Sequence, residues 1–137
     1  MNSKIFNAMS VLIALLGGFF GWFLGGYDGF IYALVVFVVI DYITGIMLAI
    51  CDKKISSKIG FKGIFKKVLI FILVGMANLV DCEIIQNGET IRDMVIFFYL
   101  SNEGISIIEN SVKIGLPVPE KLKSILEQIS KEKKVKK

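Results

Sequence analysis

Five carboxylates and amides in this chain sit where membrane lipid should be. Asp41 interrupts an otherwise charge-free stretch from Gly29 to Cys51. Asn102, Glu103, Ser106, Glu109 and Asn110 follow an apolar run that ends at Leu100. A carboxylate inside a bilayer is expensive, so it must face protein or water. Two chemistries suit such groups. They line an aqueous path or act as a trigger, or they join helices by hydrogen bonds, with a carboxyl protonated where needed. Catalysis fits poorly. The sequence has no histidine, which removes Ser-His-Asp and Cys-His machinery and the usual zinc sites. Cys51 and Cys82 match no metal or redox spacing and read as small apolar residues. No glycine-rich phosphate loop follows a strand. No enzyme, cofactor or metal is expected.

The elements that position these groups are membrane helices. Between Lys4 and Asp28 lie 23 residues without a charge. Apolar runs of 18 or more read as spans. The first span is placed at 5–27 and the second at 29–51, joined in a tight hairpin around Asp28. A signal peptide is a weaker reading of the first, because its apolar run is long and another span follows. The third span is placed at 63–80. It includes Lys66 and Lys67, whose long side chains would snorkel to headgroups. The fourth, 91–114, is amphipathic. Its polar positions 92, 99, 103, 106, 110 and 113 are three, four or seven apart and share one helical face. The fold class expected is all-α, a multi-pass bundle of about four spans over residues 1–115. A cytoplasmic segment, 116–137, follows. There Leu122, Ile125, Leu126 and Ile129 mark a short amphipathic helix with a basic tail.

Charge segregation supplies the orientation. The 52–67 loop holds six lysines against Asp52, and eight lysines and three glutamates follow from Lys113. The 81–93 loop is acidic, with Asp81, Glu83, Glu89 and Asp93 against Arg92. Basic loops stay cytoplasmic, so four spans put both termini in the cytoplasm. Lys53, Lys54, Lys66, Lys67, Lys133 and Lys134 are then candidates for contact with an anionic inner leaflet. That location favours lipid over nucleic acid as their partner.

Gly17, Gly21, Gly25 and Gly29 recur every fourth residue. Small residues at this spacing let helix backbones approach closely in lipid, either within the chain or between copies. Gly29 also lies at the turn. The polar stripe of the fourth span has two readings: a water-filled lesion shared by several copies, or an interhelical interface with Asp41. On either reading protein must cover the stripe, and association of copies is expected.

The ordered set of motifs is specific. It runs Asp41-Tyr-Ile-Thr44-Gly45-Ile with Ala49; Ser56-Ser57-Lys58-Ile-Gly60 with Gly63, Lys66 and Lys67; Asp81; Asn102-Glu103 with Ser106-Ile-Ile-Glu109-Asn110; and Gly115-Leu-Pro117-Val-Pro119-Glu-Lys-Leu122. Over about residues 30–130 it resembles the toxin-secretion and phage-lysis holins of Gram-positive bacteria and their phages. The resemblance implies a homo-oligomeric protein of the bacterial cytoplasmic membrane. Such a protein accumulates, self-associates and forms lesions that release an endolysin or a large toxin lacking a signal peptide. It supplies no catalytic residue. A small ion-selective channel or transporter subunit is the alternative.

Overall fold

The computed structural model describes residues 2–135, and at 126, 129, 130, 133 and 134 the backbone alone. Five α-helices follow one another: α1 Ser3–Leu24, α2 Gly29–Cys51, α3 Ser57–Leu79, α4 Thr90–Ile114 and α5 Glu120–Val135. α3 runs on into a π-helical turn, Val80–Ile85. No strand occurs among the described residues, in line with the all-α expectation.

Local signals set the helix ends. The Asp28 carboxylate accepts the backbone N–H of Ile31 at 3.0 Å and starts α2. Ser56 does the same for Ile59 at 3.3 Å and starts α3. Side-chain acceptors at these positions satisfy donors that a helix start leaves free. α1 stops at Gly25, whose φ of 81° is left-handed, a geometry that glycine adopts without strain. The first span therefore ends at Leu24 rather than Tyr27, and residues 25–28 turn the chain. The third helix begins at Ser57, six residues ahead of the expected Gly63. Pro119 stands just before α5, and its carbonyl accepts the N–H groups of Leu122 and Lys123.

Among the described residues, three helices are long and apolar enough to cross a membrane: Ser3–Leu24, Gly29–Cys51 and Ser57–Ile85. α4 has the length, at 25 residues, or about 37 Å at 1.5 Å per residue, but it is far more polar. Its packing is inverted relative to a water-soluble helix. Arg92, Ile96 and Glu103 are buried, while Met94, Phe97 and Phe98 are exposed. α4 packs mainly on α2 and next on α3, and α1 leans on α3. The core between them is Leu24, Ile31, Leu34, Val38, Ile70, Val74 and Ile96. Phe23 of α1 enters α3 at Gly75, where an added Cβ would stand 2.0 Å from its ring. Outside this core the outward faces of α1, α2 and α3 are largely apolar, with Phe6, Leu12, Leu15, Trp22, Phe61 and Phe65 exposed. A contiguous apolar surface of that extent needs lipid or protein over it.

Candidate functional site: two buried polar clusters

The first cluster lies deep in the bundle. Asp41 is ten residues before the end of α2, Lys67 ten residues after the start of α3, and Glu103 eleven before the end of α4. The hairpin connections bring these three positions to one depth. There the Lys67 ammonium donates to Asp41 Oδ2 and to Glu103 Oε2. Both carboxylate residues are buried. Asn110 Nδ2 donates to Asp41 Oδ1 at 3.3 Å and to Thr44 Oγ1 at 3.0 Å. The Thr44 hydroxyl in turn donates to the Asp41 carbonyl at 3.0 Å. Thus α2, α3 and α4 are tied by one charged network. Every buried side-chain polar atom among the described residues has a partner, as buried polar groups require.

A cavity of about 470 Å³ opens beside this network toward the lysine-rich α2–α3 connection. Asp41 and Lys67 line its inner end, and Ser56, Ser57, Lys66 and Ser106 line the approach. Tyr42 forms one wall, with its hydroxyl donating to the Gly60 carbonyl at 3.3 Å. Gly63 leaves room for that ring, since a Cβ there would lie 3.1 Å from it.

The second cluster closes the opposite end. Arg92 is fully buried. Its Nε–H donates to the Leu24 carbonyl at 2.6 Å, and Nη2 to the Gly26 carbonyl at 3.2 Å. Nη1 donates to Asp28 Oδ2 at 2.7 Å and to Asp93 Oδ1 at 3.2 Å. Asp81 accepts the N–H groups of Ile91 at 3.1 Å and Arg92 at 2.8 Å, capping α4 from the π-turn. Asn78 reaches the Phe23 carbonyl at 3.2 Å. One arginine therefore joins the α1–α2 turn to the start of α4. Its hydrogen bond holds the Asp28 carboxyl below the usual carboxylate range, because it stabilises the ionised form. Asp28, Glu89 and Asp93 bring three carboxylates within 4.8 Å of one another. The Arg92 guanidinium already supplies positive charge among them.

The expected site residues divide accordingly. Asp41, Glu103 and Asn110 come together, and Ser106 faces the cavity beside them. Asn102 and Glu109 are half-buried and outside this network. Lys53, Lys54 and Lys66 are exposed. Lys67, grouped with them in the sequence reading as a headgroup contact, turns inward instead because two buried carboxylates converge on it. The side chains of Lys133 and Lys134 lie outside the described residues, as do those of Leu126 and Ile129. The glycine series is divided between α1, the turn after it and the start of α2. Gly25 ends the helix, packed against Asn78 and Arg92, and Gly29 begins α2. Gly21 lies under the Tyr27 ring, whose hydroxyl donates to the Gly17 carbonyl at 2.6 Å.

Residues 18–131 match the bacteriophage holin family. The uncharacterized protein Lmo0128 of Listeria monocytogenes is 48% identical over 110 residues, covering 80% of this chain and 78% of that one. An uncharacterized 14.9 kDa protein from the nagH 3′ region of Clostridium perfringens is 39% identical over 131 residues, 95% of this chain and 98% of its own. A probable holin of Bacillus phage phi105 is 36% identical over 86 residues, 63% of each chain. No solved structure matches. With a family match spanning most of its length, this membrane protein belongs to the bacteriophage holin family.

Proposed function

We propose that this chain is a holin of the bacterial cytoplasmic membrane, stored as a closed bundle and converted to a lesion by association of copies. The observation that carries this reading is the inverted packing of α4. Glu103 and Asn110 bond to α3 and α2, and the phenylalanines of α4 face outward. A helix built that way is at home in lipid despite its polar stripe, so α4 serves as the fourth span and both termini stay on the lysine-rich side. The stripe needs no second copy in this closed form. It becomes available to water, or to the stripes of neighbouring copies, only when α4 leaves α2 and α3.

The lesion would let an endolysin or a large signal-less toxin out of the cytoplasm. Exposed Lys53, Lys54 and Lys66, with the basic face of α5, would hold the inner side on anionic lipid at about 1 kcal/mol per lysine. Inducing the chain in a bacterium should, after a lag, abruptly collapse the membrane potential and release a co-expressed cytoplasmic endolysin. Sustained growth with intact potential at high expression would overturn the reading.

A small ion-selective channel is the second reading, supported by the cavity that ends on Asp41 and Lys67. It expects ion-selective conductance in planar bilayers and retention of proteins and large dyes.

A further inference from the structure

The deep cluster has a charge imbalance that its hydrogen bonds do not remove. Two carboxylates, Asp41 on α2 and Glu103 on α4, meet one ammonium, Lys67 on α3. The other groups at the network are neutral: Asn110, Thr44 and, along the cavity, Ser106 and Tyr42. Lys66 is the other charged residue lining the cavity, and its side chain is exposed. With both carboxyls ionised, the group would bury one net negative charge at the mid-depth of an apolar bundle. Like charges sharing a desolvated site do not both ionise readily, and one of them takes up a proton. Asp41 Oδ2 and Glu103 Oε2 both face Lys67 Nζ, so a proton on either carboxyl lies within the same network. The cavity gives water a route to it from the lysine-rich side, past the Ser56, Ser57 and Ser106 hydroxyls.

We propose that Asp41, Lys67 and Glu103 form a binding site for one exchangeable proton, reached through the cavity, and that its occupancy sets how firmly α4 is held to α2 and α3. A hydronium in the cavity passes its proton to a carboxylate, giving a carboxylic acid and water. The cluster is then neutral, every member stays hydrogen-bonded, and α4 is held. Loss of the proton restores the excess charge, which is better hydrated than buried, and α4 loosens. The site concerns a proton equilibrium of the closed bundle, so it stands or falls apart from lytic activity.

The test uses the full chain reconstituted in phosphatidylglycerol vesicles. Infrared difference spectra should contain one carboxylic-acid carbonyl band per chain at neutral pH, fading as the pH is raised. Glu103→Gln and Asp41→Asn, made separately, each cancel the excess charge and should each abolish the band. Glu109→Gln should leave it intact. Absence of the band at neutral pH, or its persistence in both single variants, would overturn the site. Holding of α4 is read by maleimide labelling of Leu100→Cys, with Cys51 and Cys82 replaced by alanine. Labelling should speed up several-fold over the pH range in which the band fades, and stay flat in Glu103→Gln. A pH-independent rate in a chain whose band titrates would overturn control of α4 by the proton.

Discussion

Arg92 donates its Nε–H to the carbonyl of Leu24 at 2.6 Å, across 68 positions of sequence. That carbonyl is one of the last in α1, where a helix leaves its acceptors free. The guanidinium fork also meets Gly26, Asp28 and Asp93, so a single side chain satisfies the α1–α2 turn and fixes the start of α4 on it. Its fully buried position leaves no water to replace it. Arg92→Leu should therefore cost about 1–3 kcal/mol, the scale for leaving a buried acceptor such as the Leu24 carbonyl unpaired. Arg92→Lys should recover little, because a point charge cannot reproduce the fork. Unfolding of purified protein by titration into denaturing detergent measures both.

The same contact makes this end acid-sensitive. Arg92 holds Asp28 below its ordinary pKa of 3.8. A carboxyl with a depressed folded-state pKa contributes stability that is complete above its unfolded pKa and lost as pH falls through the folded one. The clasp should thus be indifferent to pH near neutrality and weaken only below about pH 4. In Asp28→Asn the Asp28 share of that acid loss should vanish, with lower stability at neutral pH. Stability measured across acid pH in both proteins checks the sign.

Spacing makes much of this bundle legible. The stripe of α4 is visible as intervals of three and four, and Asp41 in an apolar run demands a partner. The third member of the cluster is harder to see. Lys67 follows Lys66 in a lysine-rich segment, where flexible side chains ordinarily reach for headgroups. The signal that identifies it is depth: Asp41 and Lys67 are each ten residues from the same hairpin end. Arg92, Asp28 and Asp81 look like loop charges that set topology, because sequence gives no view of the carbonyls and N–H groups they satisfy. The end of α1 is hard to read for a related reason. Gly25 continues a four-residue repeat, yet its left-handed φ of 81° ends the helix before the repeat does.

Gly25 and Gly26 provide a paired test of that last point. Both have positive φ. A Cβ at Gly25 would lie 2.4 Å from Asn78 Oδ1 and 2.7 Å from Arg92 Nε, whereas one at Gly26 meets nothing within 4 Å. Both alanine variants carry backbone strain, of order 1 kcal/mol. Gly25→Ala should lose clearly more, since the clasp must also shift. Equal destabilisation in the detergent titration would remove the clasp from the explanation.

Gly75 should control the seat of α1 from outside the deep cluster. Phe23 occupies the space a side chain would fill there, and α1 otherwise has few buried residues. Gly75→Ala should push the ring out and separate α1 from α3. A short cross-linker between cysteines placed one turn earlier, at Phe19 beside the Phe23 ring and at Phe71, in chains that keep Phe23 with and without Gly75→Ala, reads the separation. The α2–α4 contact, tested by the same method between positions 30 and 97, should persist.

Gly17 and Gly18 address what the bundle leaves open. A Cβ at either would meet nothing within 4 Å, so larger residues should leave the closed bundle's stability unchanged within about 0.5 kcal/mol. If copies associate through this part of α1, as small residues permit, Gly17→Leu and Gly18→Leu should hold their backbones apart. Cross-linking between copies in membranes should then fall, and lysis should be delayed. Gly21→Leu is a poorer probe, because Tyr27 already lies 3.0 Å from the Cβ position and intramolecular packing would change as well. Undiminished cross-linking and unchanged lysis timing in both Gly17→Leu and Gly18→Leu would place the contact between copies on another helix.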